Sequence, residues 1–160
     1  MLDLIGVRAQ ALADVPATDD DWYANLLWVQ RRKCLLLMHT GTLFPVLAAD
    51  ISKRDLRDLG SWATGSIEAA LAEEHFPPNT LGMLDPAALQ VARTASRSML
   101  GFMTQAAHEF QYMVEQSGGL ERADVGALNH QLRRFLRNRG GYHQPVELAA
   151  RRVSEGSVEY

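Results

Sequence analysis

The sequence predicts an α+β fold in which a small, mainly antiparallel sheet is covered by helices. Two observations support this prediction. Residues 22–39 contain two apolar runs of strand length separated by a short polar turn, whereas residues 53–75 carry apolar residues at the helical period and end before two prolines. The chain has 160 residues, of which 47% are hydrophobic and 22% are charged. We therefore expect a single domain over residues 1–160 with one sizeable core.

The sheet is predicted from the stretch "WYANLLWVQRRKCLLLMH", which is typical of an antiparallel hairpin over residues 22–39. Alternation along the first strand puts apolar side chains on both of its faces, so we expect the sheet to be covered on both sides. A third strand over residues 42–48 contains Pro45, which lacks a backbone N–H and favours an edge or bulged position. The stretch "LDLIGV" is a candidate for an additional N-terminal strand.

Helices are predicted in four places: near residues 53–75, 98–117 and 124–138, and in a short segment that begins at Pro145. In the first helix, Ser52 and Asp55 have the spacing of a capping box, and Pro77 lies just beyond the end. The third helix is predicted from leucines spaced by four, namely Leu128, Leu132 and Leu136.

Composition argues against several classes of protein. The net charge of -3 disfavours a wholly basic nucleic-acid binder, so any basic patch has to be found by position. The single cysteine, Cys34, has no partner for an internal disulfide, and its apolar neighbours predict an inert, buried thiol. The sequence has neither the pattern of a signal peptide nor a stretch apolar enough to span a membrane, so we expect a cytoplasmic protein.

Three consecutive cations lie at the predicted hairpin tip, namely Arg31, Arg32 and Lys33. The simpler interpretation is that a tight turn needs a polar tip, and that cations there keep the sheet soluble and its edges unpaired. The alternative is a finger that binds phosphates or an acidic partner, because charges on a rigid tip can converge on one ligand. A second basic group follows late in the chain, at Arg133, Arg134, Arg137 and Arg139. If the two groups meet in space, they form a positive surface on an acidic protein.

The late arginines also raise the question of RNA cleavage. Arg137 and Asn138, followed by His143, resemble the catalytic motif of helical ribonucleases of the HEPN type. Gly140 and Gly141 would break the helix on which that motif depends, and the spacing from arginine to histidine is one residue too long. A helix end followed by a turn is therefore the preferred interpretation.

Asn25 is the most informative single polar residue of the first strand. An asparagine among apolar neighbours in mid-strand favours a buried residue with a hydrogen-bonded amide, and ligand contact is the alternative. The five histidines are scattered and match no metal-binding motif, so no metal is predicted. No phosphate-binding or dinucleotide-binding loop is present in the sequence, so no cofactor is predicted either.

The stretch "WYANLLWVQRRKCLLLMHTGTLFPVLAADISKRDLRDLG" resembles a family of small, uncharacterised bacterial proteins whose hairpin carries an aromatic-x-A-N-L motif and is closed by R-R-K. The segments "RSMLGFMTQAAHEF" and "GGYHQPVEL" are similar to a helix start and a closing element of that family. The family is a domain of unknown function, so the resemblance implies a fold and no activity. Some relatives occur with plasmid or mobile-element genes, which implies an accessory role in defence, maintenance or regulation.

No set of residues has the spacing of a known catalytic site, so the sequence favours a non-enzymatic binding or interaction module with a protein or anionic partner. The first alternative is a nucleic-acid-binding or RNA-cleaving protein that uses both basic groups. The second is a small-molecule enzyme without a local motif. A methionine-rich helix face leaves a homodimer as a further option. The candidate binding residues are Asn25, Arg31, Arg32, Lys33, Arg133, Arg134, Arg137, Arg139 and His143.

Overall fold

A three-stranded antiparallel sheet lies at the centre of the protein. The structure is a computed structural model that describes Arg8, Leu12 and residues 18–93 and 96–156. The strand order is β1–β2–β3, and the strands are β1 (Trp22–Val29), β2 (Arg32–His39) and β3 (Pro45–Ala48). The predicted hairpin is confirmed, and the proposed N-terminal strand lies outside the described residues.

The two connections in the sheet are tight turns. Gln30 and Arg31 join β1 to β2 with positive φ angles of 49° and 67°, the backbone that a two-residue hairpin requires. Leu43 has a φ of 59° in the second connection, so β3 begins at Pro45, later than predicted. β3 pairs with β2 alone and is an edge strand, as Pro45 predicts.

The described residues also contain helices and a small second hairpin. The helices are α1 (Lys53–Arg57), α2 (Leu59–Glu73), a 3₁₀ turn (Pro86–Ala88), α3 (Arg97–Gln116), α4 (Val125–Leu132) and α5 (Pro145–Gly156). The second hairpin consists of β4 (Arg137–Asn138) and β5 (Tyr142–His143). The predicted capping box is present at the start of α1, where Ser52 and Asp55 bond each other's backbone N–H groups. Within the described ranges, none of the helices combines the length and the apolar character that a membrane crossing needs.

Two predicted helices have different bounds in the structure. The helix predicted near residues 53–75 divides at Asp58, whose φ of -109° and ψ of 51° leave the helical region. The helix predicted over residues 124–138 ends at Leu132, and that prediction is wrong beyond this point. Because the chain leaves the helix after Leu132, Arg137 can reach the carboxylate of Glu109 on α3. Leu136 remains exposed.

β2 is buried on both faces, which confirms the predicted cover. Cys34, Leu36 and Met38 point to one side and share a core cluster with residues of α3 and α4, among them Phe110. Leu35 and Leu37 point to the other side and share a cluster with residues of α2 and α5. Alternate residues of one strand therefore join two cores that lie on opposite faces of the sheet.

Asn25 does not occupy the buried position that the sequence predicts. It lies in the middle of β1, and both Asn25 and the neighbouring Ala24 are exposed. β1 is an edge strand, so helices and neighbouring strands cover only part of its surface. A period-2 pattern of apolar neighbours indicates which residues share a face, but it does not indicate how far the cover extends across the sheet.

Candidate functional site

Arg133 is buried by contacts with residues far away in the chain. Its side chain is 1% exposed and lies over the ring of Phe44, 4.8 Å from the ring centroid. Nε donates to the carbonyl oxygen of Pro45 at 3.3 Å, and Nη1 donates to Glu74 at 3.1 Å and to Glu73 at 3.2 Å. The guanidinium group therefore ties α4 to α2 and β3, and its charge is neutralised inside the protein.

Glu74 is shared by two arginines. Arg134 donates to both oxygens of this carboxylate, at 3.1 and 2.7 Å, while Arg133 donates to one of them. Burial by itself would raise the pKa of Glu74, but the hydrogen bonds from Arg134 and Arg133 outweigh it and lower the pKa to about 2. The same hydrogen bond raises the pKa of Arg134. The cluster is an internal ion pair network in which each of the two arginines has a carboxylate partner.

The remaining late residues also have internal partners. Arg137 is 1% exposed and donates to both oxygens of Glu109 on α3, at 2.8 and 2.6 Å. Arg139 donates to the carbonyl oxygen of Thr40 just after β2. His143 is half-buried and lies opposite Arg137 in the β4–β5 ladder, so the two residues do not share a helix face. The resemblance to the helical ribonuclease motif therefore has no geometric counterpart.

The three cations at the hairpin tip have three different environments. Arg32 donates to Asp50 at 3.0 Å and to Glu121 at 2.7 Å. Lys33 lies over the ring of its cross-strand neighbour Trp28, with Nζ 5.6 Å from the ring centroid. Arg31 is exposed and has no ion pair among residues 18–93 and 96–156. Arg31 is consequently the most available charge of the tip.

The two basic groups lie at opposite ends of the sheet. Arg32 is the first residue of β2, whereas Arg139 is bonded to Thr40, which follows the last residue of this strand. Eight strand residues at about 3.3 Å each separate the two ends by about 26 Å. The geometry therefore offers no common positive surface, and nucleic-acid binding through these residues stays a prediction.

The outer edge of β3 is closed by side chains. Leu47 N–H donates to Oδ1 of Asn129 at 2.8 Å, and Nδ2 of Asn129 donates to the carbonyl oxygen of Leu47 at 2.6 Å. Pro45 has no N–H, and its carbonyl oxygen accepts from Arg133. At Pro45 and Leu47, the outward-facing N–H and C=O groups that exist are all hydrogen-bonded to side chains, and Pro45 has no N–H. This arrangement blocks the addition of another strand.

The outer edge of β1 is open by comparison. Thr40 N–H donates to Asp21 O. In an antiparallel pair, every second residue of a strand bonds to the neighbouring strand, so the odd-numbered residues of β1 direct their backbone N–H and C=O groups towards β2. The backbone groups that face outward belong to Trp22, Ala24, Leu26 and Trp28. Within the described residues, no hydrogen bond to these outward groups is present. Among the described residues, the outward side of β1 is therefore unpaired along its whole length.

The sequence of β1 has none of the features that usually protect an edge. Its eight residues, WYANLLWV, include no charged residue, proline or glycine. Ala24 and Asn25 are exposed, and Trp28 is 59% exposed although it is large and apolar. Natural edge strands are commonly blunted by lysine, proline or bulges, so an open and uncharged edge of this length is unusual. We define the outward backbone groups of β1 with the side chains of Asn25 and Trp28 as the β1 edge.

Three buried polar residues with structural roles are absent from the sequence-based set of candidates: His39, Glu74 and Asn129. His39 is fully buried, and its Nδ1 accepts the Thr42 N–H at 3.2 Å. Burial, followed by the charge of Arg152, lowers the pKa of His39 to about 4. The alternation of β2 indicates burial of His39, but no local signal identifies the partners of Glu74 or Asn129.

Cys34 has the environment that the sequence predicts. The thiol is fully buried beneath α3 and α4, and burial raises its pKa above the ordinary value. A neutral, inaccessible thiol is a poor nucleophile, so the structure places no chemistry at this position.

Comparison with known proteins gives one match. A family model described as a domain of unknown function, DUF6933, matches residues 1–148. Among curated proteins and solved structures, none matches the chain.

Proposed function

The chain belongs to the DUF6933 family, a domain of unknown function, and we propose that it acts as a non-enzymatic interaction module that binds an extended protein segment along the β1 edge. The observation that carries this proposal is the contrast between the two edges of one sheet. β3 is closed group by group through Pro45, Asn129 and Arg133, whereas the outward groups of β1 have no partner among the described residues.

Strand addition is the binding mode that this surface supports best. Main-chain hydrogen bonds along an exposed edge provide affinity, and the alternating side chains beside them provide specificity. β1 offers Trp28 and the half-buried Leu26 on one face and Asn25 on the other. An added segment would remove apolar area from water and would also pair backbone groups that now face solvent.

An anionic partner has less support from the geometry. Arg133, Arg134 and Arg137 are paired with carboxylates of Glu73, Glu74 and Glu109. Arg32 is paired with Asp50 and Glu121. Binding a phosphate there would first require these internal pairs to break. Strand addition requires no such rearrangement, because the β1 edge is already exposed.

The proposal can be tested by selecting binders from a displayed library of linear ten-residue peptides on the immobilised full-length protein. We expect the selected peptides to be free of proline, rich in β-branched and aromatic residues, and unable to bind the Ala24→Pro variant. Proline at this position removes an outward N–H and leaves the β1–β2 ladder intact. Ala24→Val is the matched control, because it keeps the N–H. Equal binding of the selected peptides to both variants, or no selection on the monomeric protein, would refute the proposal.

A further inference from the structure

We infer that the segment added to β1 is β1 of a second copy of this chain, paired antiparallel so that Asn25 faces the partner's Asn25. This inference rests on the proposed function, because it names the occupant of the same edge. Pairing would join two three-stranded sheets into one continuous sheet through a twofold axis. An isologous contact of this kind uses the same surface on both copies and closes on itself.

The register follows from the positions of the outward backbone groups. In an antiparallel pair, residues that exchange hydrogen bonds lie directly opposite each other. With the axis at Asn25, Trp22 lies opposite the partner's Trp28, and Ala24 lies opposite the partner's Leu26. Every outward N–H and C=O of β1 then has a partner within the two strands. An axis moved to Ala24 or Leu26 would direct some of these groups to residues outside the strand.

The same register gives the exposed side chains of β1 suitable neighbours. Trp28, which is 59% exposed, would pack beside the partner's Trp22 on one face of the joined sheet. On the other face the two Asn25 side chains would lie at a pair of positions without mutual backbone hydrogen bonds, where side chains approach most closely. Two amides can donate to and accept from each other at this distance. This arrangement accounts for a polar, exposed residue in the middle of an otherwise apolar strand.

Charge complementarity also favours a second copy. The acidic run Asp19–Asp21 precedes β1, and the exposed Arg31 follows it. Antiparallel pairing about Asn25 brings the turn that carries Arg31 of each copy to the same end of the joined strands as the turn that carries the acidic run of the other. β1 itself is uncharged, so the pairing introduces no like-charge contact within the strands. An uncharged strand that is flanked by a basic residue at one end and an acidic run at the other thus complements itself.

The interface would be small. One strand from each copy buries less than a standard interface of about 1,600 Å², so we expect an equilibrium that depends on protein concentration. Sedimentation velocity over a dilution series should show a dimer for the wild type and for Ala24→Val, and a monomer for Ala24→Pro. A wild type that stays monomeric, or an Ala24→Pro variant that dimerises as well as the wild type, would overturn the inference.

The register itself can be tested by cross-linking the full-length protein. Asn25→Cys should form an intermolecular disulfide under mild oxidation, because opposed residues at such a position lie about 4.5 Å apart between Cα atoms, within disulfide range. Ala24→Cys is the control. Position 24 of one copy lies opposite position 26 of the other, so the two copies of position 24 are two residues out of register and beyond disulfide range. The native Cys34 is fully buried and does not compete. A disulfide in Ala24→Cys, or none in Asn25→Cys, would contradict the register.

A charge exchange provides a test that does not depend on changes within the strand. We expect Arg31→Asp to weaken dimerisation about tenfold, because two exposed pairs are lost and repulsion replaces them. Adding Asp19→Arg to this variant should restore the dimer, since the exchanged charges again lie opposite each other. No rescue would count against the arrangement. Peptide selection that succeeds on a strictly monomeric protein would refute self-pairing and leave the proposed function intact, whereas failure of both experiments would refute both.

Discussion

Glu74 provides the sharpest test of the internal charge network. We predict that Glu74→Gln destabilises the protein by about 3 kcal/mol. Glutamine has nearly the shape of the protonated acid, and the pKa of about 2 against an ordinary 4.5 measures how strongly the fold prefers the charged form. Each pKa unit corresponds to about 1.4 kcal/mol. The value agrees with the loss of about 3–5 kcal/mol expected when one partner of a buried ion pair is removed.

The neighbouring residue supplies a matched control. Glu73 also accepts a hydrogen bond from Arg133, at 3.2 Å, but its side chain is 54% exposed, whereas that of Glu74 is 3% exposed. Glu73→Gln should therefore lower the stability by less than about 1 kcal/mol. Both variants can be compared in thermal melts, where Glu74→Gln should lower the melting temperature by about 10 °C, because 1 kcal/mol corresponds to about 2–4 °C in a chain of this size.

The pH dependence makes the test stricter. The folded-state pKa of Glu74 is below the ordinary value, so its contribution is complete above about pH 4.5 and is lost as the pH falls towards 2. The difference in unfolding free energy between the wild type and Glu74→Gln should narrow over the same interval. Equal melting temperatures for Glu74→Gln and Glu73→Gln at neutral pH would refute the reasoning, because they would mean that Arg133 is stabilised without Glu74.

Three further predictions concern other buried groups. His39 has a pKa of about 4 in the folded protein, below its ordinary 6.5, so acidification between these values should lower the unfolding free energy by about 3 kcal/mol. Denaturant titrations at several pH values should show that His39→Asn loses most of this dependence, and an unchanged slope would contradict the assignment. Asn129→Ala should destabilise the protein by about 2–3 kcal/mol, because it strands both backbone groups of Leu47; an unaltered denaturation midpoint would mean that they find other partners. Cys34 should react with a thiol reagent slowly in the native protein and quickly in denaturant, and fast native labelling at neutral pH would contradict its burial.

The local sequence determined the main elements of the fold. Periodicity and turn signals were sufficient for the hairpin over residues 22–39 and for a sheet covered on both faces, because alternation is a property of each strand by itself. Pro45 identified an edge strand since proline cannot donate to a ladder. Ser52 and Asp55 fixed the start of α1 for the same local reason, as their capping bonds span only three residues.

The candidate site depended on contacts that the local sequence does not contain. The helix predicted over residues 124–138 ends at Leu132, and Arg137 beyond it pairs with Glu109, 28 residues away. The charge of Arg133 is neutralised by Glu74 at a separation of 59 residues. The sequence therefore identified a basic group but not its neutralisation. It also assigned to Asn25 the structural role that Asn129 has, since the chain position of an amide does not specify which backbone groups it meets.

The sequence by itself determined the secondary structure of the sheet, its two-sided burial and the uncharged character of β1, all of which follow from residue types at short spacing. Only the tertiary structure decided which edge of the sheet is closed and which is open. Closure of β3 requires Asn129 to meet Leu47 across 82 residues, and packing of α4 against the sheet brings them together. β1 receives no corresponding side chain among the described residues, so its backbone groups face outward.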